Sequence, residues 1–407
     1  MERRQFLTLA GVGLGSMLIA PRIVFANVET DRRFVFIIQR GAADGLDTII
    51  PYADPAYRKL RGPLAIDNPI KLDGTFGLHP SLTGLRKLHQ DKQALFVHAV
   101  ASPYRERSHF DGQNVLESGG SSPYERKDGW LNRLVGMLPK ARGEAIAFAP
   151  TIPLALRGQA DVTSYAPSAL PEAPDDLMMR VGKLYDADEQ LHALWSSAME
   201  TRALGAVNAQ RKDAASVGRT AAGFLAKAGG PRVAMIETSG WDTHSGQQAR
   251  LANQLRALDA LIDGLHVGLG DIWKDTTVLV ATEFGRTVAV NGTGGTDHGT
   301  ASAAKIAGGA VNGGRVMADW PGLSAGALYQ GRDLAPTLDL DADCGDGRRN
   351  VWSRSARDDA QALCRRSIRS RNLRHRAQVR LAYSAGPVTR RTAGPAPARR
   401  RRPKTSP

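Results

Sequence analysis

Short apolar runs alternate along the chain with stretches of helical periodicity. The runs are almost continuously hydrophobic, which is typical of strands buried on both faces of a parallel sheet. Six of them predict strands: Phe34–Ile38, Ala94–Val97, Ala145–Phe148, Val233–Ile236, Thr277–Ala281 and the weaker Ala304–Ala307. Strands that alternate with helices predict an α/β fold, with a largely parallel sheet flanked by helices.

Helices are predicted in the stretches between these runs. Residues 246–273 carry leucine and isoleucine at helical spacing, which gives one apolar stripe. Residues 80–90 and 108–117 predict shorter helices, and residues 175–228 predict a longer, broken one. Because residues 150–230 are alanine-rich and contain no strong strand, we interpret them as a mainly helical insertion or cap.

The N-terminus has the features of an export signal. The segment Arg3-Arg4-Gln5-Phe6-Leu7 resembles a twin-arginine signal, and the apolar run that follows is too short to span a membrane. We expect cleavage after Ala26, export with the twin-arginine translocase as partner, and a periplasmic or secreted protein without a stable membrane span. An uncleaved N-terminal anchor over residues 1–26 is the alternative.

The positive charge of the chain is confined to its last part. The 407 residues have a net charge of +14, but residues 343–407 contain 18 basic and four acidic residues, and residues 1–342 contain 36 of each. Both cysteines, Cys344 and Cys364, also lie in this tail. A disulfide framework, a cysteine-ligated metal and a cysteine nucleophile are therefore excluded from residues 1–342.

Polar and ionisable side chains follow the predicted strands directly. In an open parallel sheet this edge is where binding sites form. Asp44 follows the first strand, and Ser108 begins a helix after the second. The other candidates follow the fourth and fifth strands: Asp242, His244, Glu283, Arg286, Asp297 and His298.

Some of these residues also have plainer structural interpretations. Taken alone, Asp44 is better explained by a tight Asp-Gly turn. Ser108 forms a capping-box pattern with Asp111, which requires no catalysis. Residues at positions i and i+2 of an extended segment project to one side, so Asp242 and His244 can face one metal, although a surface pair would show the same spacing.

The remaining candidates, Glu283, Asp297 and His298, follow the fifth strand. Glu283 ends a buried strand, where an unpaired carboxylate would be costly without a metal or Arg286. Asp297 and His298 point opposite ways in an extended segment, so either one is a ligand and the other its support, or the two bind different metals. Together the candidates suit hydrolysis of a small anionic phosphate or sulfate ester with divalent metals, two of them in this interpretation. Ser108 would attack, Arg286 or Arg40 would contact the anion, and the metal would be zinc, calcium or manganese.

Several longer blocks of sequence carry a family resemblance. They lie in order over residues 30–342: Arg40–Gly45, His79–Leu82, Ser108–Asp111, Gly129–Leu131, Gly240–His244, Thr282–Thr287, Gly294–Gly299, Gly308-Gly309 and Trp320–Gly322. On these blocks the chain is identified as a member of the bacterial exported family named domain of unknown function 1501.

That family is itself similar to the alkaline phosphatase superfamily, which includes sulfatases and cofactor-independent phosphoglycerate mutases. The resemblance implies an alkaline-phosphatase-like domain over residues 27–342, with metal-site residues and a nucleophile at Asp44, Ser108, Asp242, His244, Glu283 and His298. The chain departs from the superfamily at Glu283-Phe284, where Asp-His or Asp-Asn is usual.

The tail also departs from the family. Its few apolar residues predict disorder, and the family's final amphipathic helix is replaced after Ala342 by arginine-rich sequence. We hypothesise that residues 343–407 are a frameshifted reading, so another frame should restore a helical apolar pattern. A genuine basic tail is the alternative, but it lacks the interleaved aromatics of nucleic-acid-binding segments, and we expect no nucleic-acid partner.

The sequence therefore predicts an exported, metal-dependent hydrolase of phosphate or sulfate esters with a serine nucleophile. The alternative is a non-catalytic periplasmic binding or assembly protein that retains a vestigial metal site.

Overall fold

The structure of the protein is a computed structural model. It describes residues 32–138, 144–166 and 213–340, and parts of 175–199. The predicted signal at 1–26 and the predicted tail at 343–407 lie outside the described residues. Among the residues that are described, none of the helices has the length and apolar composition needed to cross a membrane.

Twelve strands are described in this part of the chain. In chain order they are β1 Arg33–Gln39, β2 Ile49–Ile50, β3 Ile70–Lys71, β4 Gly77–Leu78, β5 Ala94–Ala101, β6 Ala145–Phe148, β7 Val162–Ser164, β8 Val233–Thr238, β9 Thr276–Ala281, β10 Ser302–Ala307, β11 Arg315–Met317 and β12 Leu338–Asp339. Nine of them form one sheet of order β11-β5-β10-β9-β1-β8-β6-β7, in which β12 also pairs with β5. The short strands β2, β4 and β3 form a second sheet.

The centre of the large sheet is parallel, as the apolar runs predict. Strand β1 pairs in parallel with β8 on one side and β9 on the other. Its residues are buried on both faces: Val35 and Ile37 pack in one apolar cluster, and Phe36 and Ile38 pack in another. The predicted α/β fold with a largely parallel sheet is confirmed.

Strand β10 is the exception, because it runs antiparallel to both β9 and β5. The loop between β9 and β10 doubles back on itself, with Gly285 N donating to Thr300 O at 2.9 Å and Gly299 N to Gly285 O at 2.8 Å. Such a return joins antiparallel neighbours at the same edge, whereas parallel neighbours need a crossover. The loop residues before Ser302 are therefore held at the edge where the parallel strands end.

Helices cover both faces of the sheet. They are α1 Tyr57–Arg61, α2 Thr83–Gln90, α3 His109–Ser118, α4 Trp130–Val135, α5 Asp175–Tyr185, α6 Ala214–Ala226 and α7 Gln247–Leu269. The predicted stripe of α7 faces the sheet, since Leu251, Leu255, Leu258, Ile262 and Leu265 are buried in the same cluster as Val35. Helix α4 buries Leu131 and Val135 on the opposite face.

The two ends of the 150–230 stretch belong to these layers. Strand β7 extends the sheet beyond β6, and its three residues are partly exposed, so no apolar run marks them in the sequence. Helix α6 packs on α7 so closely that a Cβ at Gly218 would lie 2.2 Å from the carbonyl oxygen of Leu261. The helical insertion predicted at 150–230 stays a prediction, because its middle lies largely outside the described residues.

Candidate metal centre

Four side chains meet at the edge where the parallel strands end. His109 is the first residue of α3, just beyond β5. Asp242 and His244 follow β8, and His298 lies in the loop that leads into β10. Because β10 is antiparallel, this loop reaches the same edge as the ends of β5 and β8.

The Asp242 carboxylate lies at the centre of this group. Its Oδ1 is 3.0 Å from His244 Nε2 and 3.4 Å from His298 Nε2, and its Oδ2 is 3.6 Å from His109 Nε2. The ligand atoms of His109, Asp242 and His298 all lie within 4.8 Å of one another. Among the described residues this is the one group of three or more potential ligands close enough to share an ion.

Each of the three imidazole rings is held through its Nδ1 atom. The hydrogen bonds run from His109 to Glu283 Oε1 at 2.8 Å, from His244 to Asp297 Oδ1 at 3.1 Å, and from His298 to the carbonyl oxygen of Arg107 at 3.0 Å. Carboxylate and carbonyl oxygens accept hydrogen bonds and do not donate them, so the proton of a neutral His109 or His298 ring is on Nδ1. His244 differs, because carboxylate oxygens lie at both of its nitrogens, Asp297 Oδ1 at 3.1 Å and Asp242 Oδ1 at 3.0 Å. The Nε2 lone pairs of His109 and His298 are therefore directed toward Asp242.

This arrangement fits a cation. The Nε2 atoms of His244 and His298 are 3.0 Å apart, and both lie within 3.4 Å of Asp242 Oδ1. The Nε2 atom of His109 is buried and has no hydrogen-bond partner. A histidine that donates its other ring N–H to a carboxylate or carbonyl is the usual arrangement of a metal ligand, because the second bond fixes the tautomer and makes the ligand more basic.

The rings differ in their affinity for protons. The hydrogen bond to Glu283 raises the pKa of His109, although burial opposes this. Burial, together with the charges of His109 and Arg286, lowers the pKa of His298. A cation would thus meet a neutral ring at His298 and compete with a proton at His109.

Arg286 is buried and contacts the Asp242 carboxylate, with Nη1 donating to Oδ1 at 2.6 Å. Thr296 accepts two further bonds, its hydroxyl from Nε at 3.1 Å and its carbonyl from Nη2. The contact with Arg286 outweighs burial and lowers the pKa of Asp242. Arg286 therefore orients Asp242, and its expected contact with a substrate anion stays a prediction.

Glu283 and Asp297 support the histidines and do not face the cluster themselves. Besides His109, Glu283 Oε1 accepts hydrogen bonds from Gly41 N at 2.8 Å and Gln113 Nε2 at 3.0 Å. These bonds outweigh burial and lower the pKa of Glu283, so it is ionised at neutral pH. The carboxylates of Glu283 and Asp297 are hydrogen-bonded to Nδ1 of His109 and His244, and their expected roles as metal ligands stay predictions.

Asp44 is not brought to the cluster either. It is buried in an ion pair with Arg61, which also bonds Asp47 at 3.1 Å. Burial opposes ionisation of Asp44, but the Arg61 charge outweighs it and lowers the pKa. A chain of hydrogen bonds leads from there to Asp242, through Gln247, Thr296 and Arg286. Asp44 is thus linked to the cluster through this chain of hydrogen bonds, and its expected role as a metal ligand stays a prediction.

Ser108 directly precedes His109 and is the N-cap residue of α3. Its side chain makes no capping hydrogen bond, so the capping box that the sequence allows with Asp111 is not formed. The Ser108 backbone N–H donates to the Tyr104 hydroxyl at 3.1 Å. Ser108 therefore lies beside the cluster with its hydroxyl unused for capping.

His109 is the member of the candidate cluster that the sequence did not single out. Its position beside Ser108 had suggested only a helix start, and its partner Glu283 is 174 residues away. One signal was available, because a buried carboxylate at a strand end needs a donor. A histidine at the neighbouring strand end was a candidate for that donor.

Removing the Glu283 carboxylate should weaken metal binding. We expect Glu283→Ala to lower zinc affinity by about 10- to 100-fold, because the His109 ring loses the acceptor that fixes its tautomer. Glu283→Gln is the matched control, since its amide oxygen can still accept from Nδ1, and it should lose less. Competition with a chromophoric chelator measures both, and an alanine variant with undiminished affinity would contradict this role.

The sequence of the chain matches the model of a protein family. The model of the family described as "Protein of unknown function (DUF1501)" matches residues 31–344. The match begins shortly after the predicted cleavage site at Ala26 and ends just inside the arginine-rich tail. Comparison with curated proteins finds no significant match.

Two solved structures are similar at low identity. The C-terminal periplasmic domain of EcEptC from Escherichia coli, in complex with zinc, is 9% identical with a TM-score of 0.33, and the match covers 68% of this chain and 72% of that one. Ps i-CgsB in complex with k-i-k-neocarrahexaose is 12% identical with a TM-score of 0.34, over 70% of this chain and 68% of that one. At these identities and TM-scores, neither structure identifies the chemistry of the site in this chain.

Proposed function

The chain belongs to the DUF1501 family, and we propose that it is a metal-dependent hydrolase of phosphate or sulfate esters. The proposal depends on one observation, the convergence of three Nε2 atoms on the Asp242 carboxylate. The residues that would hold the ion are His109, Asp242, His244 and His298.

The ligand chemistry favours zinc. Three imidazole nitrogens and one carboxylate suit zinc and also manganese. Calcium takes six to eight oxygen ligands, so a centre with three nitrogen donors argues against it. We propose one ion in place of the two that the sequence suggested, because Asp44 and Glu283 have other partners.

One side of the cluster is open to solvent. The side chains of Asp242 and His244 are 41% and 44% exposed, whereas Glu283 and Arg286 are buried behind them. A small anionic ester can therefore reach the ion from outside. A bound divalent ion supplies a Lewis acid that polarises the ester group.

Ser108 is the attacking group in this proposal. The first turn of α3 has backbone N–H groups without intrahelical partners, which favour an anion at this end. The Ser108 oxygen forms a bond to phosphorus or sulfur, the bond to the leaving alkoxide breaks, and the hydroxyl proton passes to solvent. Water then hydrolyses the seryl ester and releases phosphate or sulfate.

Ser108→Ala should abolish hydrolysis and leave the metal in place. With zinc-loaded protein and p-nitrophenyl phosphate or sulfate as substrate, we expect a loss of about a thousand-fold or more in kcat, because the nucleophile is gone. Metal content measured on the same samples should not change. Ser122→Ala, at an exposed serine beyond α3, is the matched control. Full activity in Ser108→Ala would exclude the serine, and no activity in zinc-loaded wild type would exclude the hydrolase.

A second function, binding or assembly without catalysis, is favoured by the number of protein ligands. Four protein side chains complete the tetrahedral set of a structural zinc site, whereas catalytic zinc usually keeps one position for water. A protein that holds one zinc, loses stability when it is removed and hydrolyses neither ester would match this alternative.

We also propose that the protein is exported folded by the twin-arginine translocase to the periplasm or beyond. The paired arginines support this, as does a family match that starts at residue 31. Lysine at both Arg3 and Arg4 should retain the protein in the cytoplasm, as cell fractionation would show. Unchanged export of that variant would contradict the proposed route.

A further inference from the structure

The residue before Ser108 has an unusual backbone. Arg107 has φ = +64°, in the left-handed region that a non-glycine residue seldom adopts. In this conformation its carbonyl oxygen accepts the Nδ1 hydrogen bond of His298 at 3.0 Å. Strained backbone of this kind persists where the surrounding structure holds it, and it concentrates at functional sites.

An ion pair with Asp333 holds Arg107 in place. Asp333 is fully buried, and its Oδ2 accepts from Arg107 Nε at 2.9 Å and Nη2 at 2.7 Å. The same oxygen accepts from Thr300 Oγ1 at 2.8 Å, while Oδ1 accepts from Arg332 Nε at 2.9 Å. Asp333 is therefore saturated and fixed, and it ties Arg107 to the segment after β11.

The backbone around Asp333 is anchored as well. Asp333 exchanges two backbone hydrogen bonds with Tyr329, at 2.8 and 3.0 Å. Val288 N donates to the carbonyl of Arg332 at 3.2 Å, next to the loop that carries His298. The Arg332 side chain also donates to the carbonyl oxygen of His298. Residues 329–333 thus contact both the loop of His298 and the residue that orients its ring.

We propose that Arg107 and Asp333 are positioning residues for the metal centre. The ion pair with the buried Asp333 holds Arg107 in its left-handed conformation, and this conformation directs the carbonyl that fixes the Nδ1–H tautomer of His298. The ring then presents the Nε2 lone pair to the cluster. This inference depends on the proposed metal site, but it assigns a role to residues that touch neither the ion nor a substrate.

A comparison of alanine and glycine at position 107 tests it. Both variants delete the same side chain, but glycine adopts φ > 0 without steric cost, whereas alanine does not. For the full-length protein we expect Arg107→Ala to weaken zinc affinity by about 10- to 100-fold, and Arg107→Gly to recover most of that loss. Asp333→Asn should also weaken binding, and it serves as the second variant if the alanine variant does not fold.

The readouts are zinc affinity, by competition with a chromophoric chelator, and the visible absorption spectrum of the cobalt-substituted protein. Lys92, which is exposed with φ = +60°, supplies the control: Lys92→Gly should leave both readouts unchanged. Equal zinc affinity of the alanine and glycine variants, whether high or low, would overturn the proposal. Wild-type protein that binds no zinc would instead show that the proposed metal site itself is wrong.

Discussion

His109→Asn should lower zinc affinity by more than about 100-fold, beyond the range that loss of a supporting residue causes. The asparagine amide can still donate to Glu283, where the His109 Nδ1 atom does so at 2.8 Å. The substitution therefore allows the buried hydrogen bond to remain while it removes the ring that carries Nε2, the atom that lies 3.6 Å from Asp242 Oδ2. A loss of zinc affinity would then come from the missing ligand atom and not from an unpaired Glu283 carboxylate.

Isothermal titration with zinc measures this loss, and the unfolding transition of the metal-free protein shows whether the fold is intact. His266→Asn is the matched control, because His266 lies on α7 against the Trp273 ring and has no part in the cluster. One zinc bound with unchanged affinity in the His109 variant would remove His109 from the ligand set.

Arg61→Met should destabilise the protein by about 3–5 kcal/mol and leave the zinc stoichiometry unchanged. Arg61 is fully buried and is bonded to both Asp44 and Asp47. Its removal leaves two buried carboxylates with neutral donors alone: Gln247, the Tyr57 hydroxyl and the backbone N–H groups of Leu46 and Asp47. Breaking one partner of a buried ion pair is costly because the other charge remains unpaired in a medium that solvates it poorly.

Urea denaturation of the two proteins gives the difference in unfolding free energy. Arg58→Met on the same helix is the matched control, because Arg58 pairs with Asp67 at the surface, where such pairs contribute about 0–1 kcal/mol. Asp44→Asn separates the two interpretations of Asp44. A ligand would release zinc when it is changed, whereas an interior support would lower stability with the zinc retained.

The sheet could be predicted from the sequence because buried strands leave continuous apolar runs. The direction of β10 could not, since it depends on the return loop that pairs Gly285 with Thr300. Strand β7 could not either, because it is short and partly exposed. Hydrophobic patterns report burial, whereas strand direction depends on how the connections fold back.

The site could be predicted in part. Placing candidates at strand ends found Asp242, His244 and His298, since strand ends share one edge whatever the details of the loops. The sequence did not show which of the candidates face the cluster and which hold its histidines, because that depends on the direction in which each carboxylate points. Glu283 faces His109, and Asp44 faces Arg61, which lies on a helix with no sequence signal that connects it to Asp44.

The family match covers the neutral part of the chain. It ends at residue 344, two residues into the segment 343–407 that carries the whole net charge of +14. The candidate centre lies in the neutral part. That the tail is a frameshifted reading remains a prediction, which the other reading frames can test.

Anomalous X-ray scattering at the zinc edge, from crystals of the full-length protein grown with zinc, tests the central claim most directly. The proposed ligand set predicts one anomalous peak per chain. This peak should lie within bonding distance of the Nε2 atoms of His109, His244 and His298 and of an Asp242 oxygen, with Asp44 and Glu283 outside that distance. No peak at these four residues, or a peak bonded to Asp44 or Glu283 in their place, would contradict it.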